Sequence, residues 1–309
     1  MQRTLLYALT GVLLHVMLGA QHRPVDVFSV SPDLPVLERP LPAEAPVLRV
    51  SERQFEELHR LPIGSRTRIT LPIKGSMSVI ADVQRYAVID EQSVLRAMTS
   101  SGPVTIPAPR SVLLKGTVDG NPGSFVTLAL YPGLALGRIV LGDEVHEEYI
   151  ITPLTSTMPA PVAVVPSTSL LRSDYGLCAV TDDDVVHGRP SVKGAEQTQA
   201  GTLRRVTLAL EGDTPYYLDH GSDLTVATAY AEAVIAASSA IYERDVSASL
   251  YIGQLVIWTT TDPYPGTNST NLLTQFRDYW RANNAGVGRS VAMLLSGQNG
   301  IGGVAYLNT

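Results

Sequence analysis

The chain changes its apolar period once, and that change limits its fold more than any other feature. Over 67–73, 77–83, 111–118, 124–131, 136–141 and 148–151, apolar side chains recur in short alternating runs cut by turns, the pattern of antiparallel strands. From 203 onward, strand-like runs at 205–210, 250–260 and 290–295 are separated by two stretches of helical period, 223–244 and 272–282. The pattern therefore predicts a two-domain α+β or α/β protein: a β-rich first domain, then an α/β sheet domain with crossover helices. At 309 residues the chain is long enough for each part to bury its own core.

Local signals fill in this outline. The sequence Asp119-Gly120-Asn121-Pro122-Gly123 is the strongest hairpin turn in the chain. A short helix is expected over 51–61, with Ser51 as its cap and Gln54 at the capping-box position. The Pro-rich stretch 21–46 reads as an extended lead-in, and 152–201, with five prolines and the acidic triplet Asp182-Asp183-Asp184, reads as a linker. Three adjacent carboxylates along an extended chain cannot all face one cation, so the triplet is expected to be a solvated turn. The Gly-rich segment beginning at Gly297 is expected to end as a strand through Val304, Ala305, Tyr306 and Leu307.

Composition removes several function classes. Lys and Arg total 23 against 29 Asp and Glu, a formal charge of -6 with no basic block, so nucleic acid is not an expected partner. At the N-terminus Arg3, the apolar run 5–18 and the small residues Gly19 and Ala20 read as a secretory signal peptide; the run is too short for a stable membrane span, and a secreted, extracellular product is expected. The single cysteine, Cys178, excludes an intrachain disulfide and a Cys-based structural zinc site.

Catalytic signatures are missing. None of the six histidines lies three or four residues from another, so no helical two-His metal face exists. There is no Gly-x-Ser-x-Gly elbow, phosphate-binding loop or dinucleotide fingerprint. Asn268-Ser269-Thr270 fits a glycosylation triplet but reads as a plain loop, and His220, beside Asp219, reads as an exposed loop residue.

Several strings together carry a family likeness: Ile241-Tyr242-Glu243-Arg244-Asp245, Val256-Ile257-Trp258-Thr259, Phe276-Arg277-Asp278-Tyr279-Trp280, Leu294-Leu295-Ser296-Gly297 and Gly302-Gly303-Val304-Ala305-Tyr306-Leu307. In this order they resemble the secreted, bacterial reprolysin-like (adamalysin-type) metzincin zinc metalloproteases. The segment from Gly116 to Ser124 looks like the propeptide of such precursors. The resemblance implies a signal peptide over 1–20, a β-rich propeptide-like domain over 21–165, a linker over 166–202, and the N-terminal part of the catalytic domain over 203–309. That last part would be the upper subdomain of a metzincin-like fold, a twisted mixed sheet with two helices, incomplete at its C-terminus.

The same resemblance implies roles for a few residues. Gly303, Val304, Ala305, Tyr306 and Leu307 would form the edge strand that pairs with an extended protein or peptide substrate. Cys178, within Gly176-Leu177-Cys178-Ala179-Val180-Thr181, would be a cysteine switch, its thiolate closing the open position of the zinc. The cofactor implied is Zn²⁺, yet the His-Glu-x-x-His helix, the third His and the Met turn are absent from the sequence, so no catalytic residue and no metal ligand other than Cys178 carries over. The expectation is an apparently truncated precursor of a secreted zinc metalloendopeptidase, held latent by its propeptide and inactive alone. The alternative is a non-catalytic secreted protein, either a propeptide-type inhibitor or a β-rich binding module.

Overall fold

The computed structural model describes residues 23–31, 40–142, 148–170 and 202–306. In chain order, the first part contributes β1 (Val25–Asp26), β2 (Phe28–Val30), β3 (Val47–Val50), α1 (Glu52–His59), β4 (Arg66–Lys74), β5 (Met77–Tyr86), β6 (Val94–Thr99), β7 (Gly102–Thr105), β8 (Val112–Val118), β9 (Asn121–Tyr131), β10 (Leu134–Val140), β11 (Glu148–Pro153) and β12 (Val162–Pro166). The second contributes β13 (Arg204–Gly212), α2 (Thr214–Asp219), α3 (Leu224–Val246), β14 (Ala248–Trp258), α4 (Ser269–Asn283) and β15 (Val291–Leu295).

Ten strands form the first sheet, in the order β1-β4-β5-β8-β9-β10-β11-β12-β3-β2. Only Val27 separates β1 from β2, so one run of chain pairs with β4 by its first half and with β3 by its second. The sheet thus curls until its two ends meet across that run, which leaves no long unpaired edge. The lead-in is therefore more than extended polar chain, and Val27 is buried. Side chains of one parity fill the interior: Ile69, Leu71 and Ile73 from β4, Val126, Leu128 and Leu130 from β9, and Val162 and Val164 from β12. Phe55 and Leu58 of α1 join this core. Ser51 precedes α1 as expected, but its side chain makes no capping hydrogen bond, so tertiary burial rather than a capping box holds the helix. The predicted hairpin is present and tighter than expected: Val118 pairs with Asn121, so only Asp119 and Gly120 turn, and Gly120 takes φ +72°.

The second sheet has the order β15-β13-β14-β6-β7. Strands β13, β14 and β15 are parallel, as strand–helix–strand crossovers require. From β13 the chain moves through α3 to one neighbour, then through α4 back across to the other neighbour. Two crossovers of the same hand in opposite directions put their helices on opposite faces. Accordingly α3 packs on the face toward the ten-stranded sheet, while Leu272, Phe276 and Trp280 of α4 form a separate cluster with Ala209 and Tyr264.

Helix α3 is long and apolar enough, by length and composition, to cross a membrane, but here it lies between two sheets. Its Ala227, Ala231 and Ile235 share one core with Leu113, Ala129, Tyr131 and Leu134, which point outward from the ten-stranded sheet. That explains why β9 is buried on both faces from Ser124 to Tyr131. The small side chains of α3 allow close approach, and the Tyr131 hydroxyl donates to the Ala229 carbonyl at 2.8 Å. Replacing Tyr131 by Phe is expected to cost about 1 kcal/mol, read as a lower urea midpoint at unchanged slope. A variant as stable as the parent would contradict this account of the hydroxyl.

The pair β6–β7 was not evident from periodicity, and its placement is non-local. Drawn from between β5 and β8 of the first sheet, it joins the second, where β6 runs parallel to β14. The chain from 297 onward also differs from expectation. Residues 301–306 lie in neither sheet, Leu307 is outside the described residues, and β15 is the last strand among those described. Several glycines in 297–303 weaken strand formation there.

Candidate functional site

In open parallel sheets, ligands gather beyond the carboxyl ends of the strands, and here those ends carry Glu211, Asp213, Asp262 and Ser296. Asp213 follows directly on β13. Its Oδ1 accepts the backbone N–H of Tyr216 at 2.8 Å, capping α2, and that of Gly297 at 3.1 Å. Its Oδ2 accepts the Ser296 hydroxyl. One side chain with no exposed surface thus ties the start of α2 to the chain leaving β15. The approach is close: a Cβ on Gly297 would lie 2.5 Å from the carbonyl of Pro215. Burial pushes the Asp213 carboxyl above its ordinary range, against the hydrogen bonds from Ser296, Tyr216 and Gly297 that favour its ionised form.

Glu211, one turn of pleat earlier on the same face as Ala209, points to the α4 side. Its Oε2 accepts the Trp258 indole N–H at 2.9 Å and the Tyr264 hydroxyl. Burial also pushes this carboxyl upward, with the hydrogen bonds opposing. Asp262 accepts the N–H groups of Thr214 and Tyr264, each at 2.8 Å. These acids are spent on internal donors. Among the described residues no group of three or more His, Cys, Asp and Glu is placed to hold a metal ion. The arrangement can frame a loop, but it offers neither an open coordination position nor a base facing a cavity.

His220 is not the exposed loop residue that the sequence suggested. Its ring lies 4.3 Å from that of Tyr216 and 4.4 Å from that of Tyr230, with Nδ1 2.6 Å from the Tyr216 carbonyl oxygen. Burial lowers its pKa, so the neutral imidazole is favoured. Asn268, read as a plain loop residue, is the cap of α4 and accepts the N–H of Asn271 at 2.9 Å. Ser269 then exchanges hydrogen bonds with the backbone of Gly302, holding the 301–306 segment against α4. Tyr306 sits at the far end of that segment, where its hydroxyl accepts from Arg277 at 2.9 Å. Gly303, Val304 and Ala305 lie between these anchors as irregular chain. Cys178 and the triplet Asp182-Asp183-Asp184 lie outside the described residues, as do the proposed signal peptide and Leu307.

Periodicity missed a second polar group, buried between α3 and the ten-stranded sheet. Ser111 donates to Glu232 Oε1 at 3.0 Å, and Oε2 has no hydrogen-bond partner among the described residues. Burial pushes this carboxyl up to about 7, partly offset by the Ser111 hydroxyl. Further along α3, Glu243 pairs with Lys115 of β8, whose ammonium sits 4.8 Å from the Tyr86 ring. Glu232 and Glu243 are eleven residues apart, three helical turns, and so share one face. That spacing was the available signal, but only the neighbouring sheet shows that the face is buried.

Comparison with known proteins adds a local match. Residues 202–309 match the model of metallo-peptidase family M12 (Reprolysin_5), a stretch shorter than half of the chain that takes in all of β13 to β15. No curated protein matches. Among solved structures, metalloproteinase-II from Bacteroides fragilis is similar at 12% identity, over 77% of this chain and 68% of that one, with a TM-score of 0.36.

Proposed function

We propose that this chain is the front part of a secreted zinc metalloendopeptidase precursor: a propeptide-like β-rich unit over 21–165, a linker over 166–202, and the upper half of a catalytic unit over 203–309. The observation that carries this reading is that the M12 match takes in the three parallel strands β13, β14 and β15 together with α3 and α4, the helices on their two faces. In this reading 1–20 is the export signal, Cys178 is the thiolate that would close the zinc site, and Gly303, Val304, Ala305, Tyr306 and Leu307 are the stretch that would pair with extended peptide.

The residues present do not fit the metal itself. No cluster of three candidate ligands occurs among the described residues, and the strand-end carboxylates are occupied by internal donors. The sequence also lacks the His-Glu-x-x-His helix. No catalytic step is therefore assigned to this chain.

Two measurements test the proposal. The purified chain is expected to show no chelator-sensitive cleavage of denatured protein substrates and no stoichiometric zinc by elemental analysis. Metal-dependent proteolysis by this chain alone would overturn the assignment. Reading the gene beyond the codon for Thr309 is expected to show His-Glu-x-x-His; its absence from every frame would favour the non-catalytic reading, an inhibitor or binding module.

A further inference from the structure

The edge of β14 is covered by strands from a distant part of the chain. Val94, Leu95, Arg96, Ala97 and Met98 of β6 pair in parallel with Gln254 to Trp258. Leu95 and Ala97 are buried in the same core as Leu255 and Ile257. Around this ladder the main chain is tied again: Ile252 N–H donates to the Val88 carbonyl at 2.7 Å, Ser93 donates to the Ile252 carbonyl at 2.6 Å, and both the N–H and the hydroxyl of Thr259 donate to the Met98 carbonyl. Arg205 of β13 closes the group by pairing with Asp90.

The pair also changes which strand ends the sheet. Without it, the edge would be β14, eleven residues long and rich in β-branched and aromatic side chains, an open template for association. With it, the edge is β7, four residues that include Pro103, which has no N–H to offer a further strand. The attachment rests on main-chain pairing and buried apolar side chains, neither of which needs the two parts to be covalently continuous.

We propose that the edge of β14 is a strand-accepting surface whose occupant is the β6–β7 pair of this same chain, and that this occupancy, with the core that α3 shares with the ten-stranded sheet, holds the first part on the second after the chain between them is cut. Cleavage alone would then not release the first part. The inference stands on the pairing and does not use the peptidase reading.

The test uses the full chain with a recognition sequence for a site-specific protease inserted after Lys193. After cutting in native buffer, the two fragments are expected to co-elute on gel filtration at one-to-one stoichiometry, and amides of Gln254 to Trp258 are expected to keep the hydrogen-exchange protection of the uncut chain. Separation of the fragments, or loss of that protection on cutting, would overturn the proposal. In the same background Ala97→Glu is expected to remove the hydrogen-exchange protection of Gln254 to Trp258, while the contacts of α3 with the ten-stranded sheet keep the fragments together. Arg53→Ala, on the exposed surface of α1, is expected to leave co-elution intact. If Ala97→Glu prevents folding of the uncut chain, the cut parent protein still decides the question. Retention could fail with the absence of proteolysis unaffected, so the two proposals fall separately.

Discussion

Asp213→Ala is expected to destabilise the protein by about 3–5 kcal/mol, the sum of a lost helix cap and buried donors left unmatched. The side chain has no exposed surface and serves three donors at once: the N–H groups of Tyr216 and Gly297, and the Ser296 hydroxyl. Truncation leaves those donors without an acceptor, in a space closed by Pro215 against Gly297. Asp213→Asn is the informative contrast. Its amide oxygen can still accept both N–H groups and its NH₂ can face the Ser296 oxygen, so most of the stability should be retained. Urea unfolding of the two variants checks this; equal losses in both would show that charge, not acceptor geometry, holds the loop.

Glu232→Gln is expected to stabilise the protein at pH 8 by about 2–3 kcal/mol while leaving it little changed at pH 4. The sign follows from the carboxyl's shift from 4.5 to about 7 on burial. Between those values the folded state binds more protons at this site than the unfolded state, so stability contributed by Glu232 falls as pH rises. It is fully present below about 4.5 and lost once pH passes about 7. Glutamine carries no charge to bury, so the variant lacks this loss. Glu211 and Asp213 are also raised by burial and remain in both proteins, so the difference between parent and variant isolates Glu232. Urea midpoints at pH 4, 6 and 8 measure it. A parent–variant difference that does not grow with pH would sink the assignment.

Much of the fold was legible because period and burial agree locally. The six predicted strands of the first part and the three strands and two helices of the second all appear, with ends shifted by a few residues. The short helix at Thr214–Asp219 is not among the predicted elements, although Asp213 as a cap and Pro215 in the first turn are its signals. Six residues carry too little periodicity to outweigh the polar composition around them. The last strand predicted does not appear over Val304 to Tyr306, for the opposite reason: an apolar run suggested a strand, but 301–306 is held by Ser269 and Arg277 rather than by a ladder.

The candidate site was less legible. The strand-end acids are individually unremarkable in sequence, because Asp213 and Ser296 lie 83 residues apart and meet only when β13 and β15 pair. Glu232 likewise looks like a solvated helix residue until β8 and β9 cover it.

The order and type of most elements, the lack of a His-Glu-x-x-His string and the likeness of 202–309 to M12 peptidases can be read along the chain, since each depends on residues close together in it. Contacts between distant segments set the rest: the ten-stranded sheet closes through 25–30, β6–β7 belongs to the second sheet, and the acids at the strand ends are internally satisfied. Strand pairing between distant segments depends on main-chain hydrogen bonds, which every residue but proline can make, so the sequence pattern does not say which partner a strand will take.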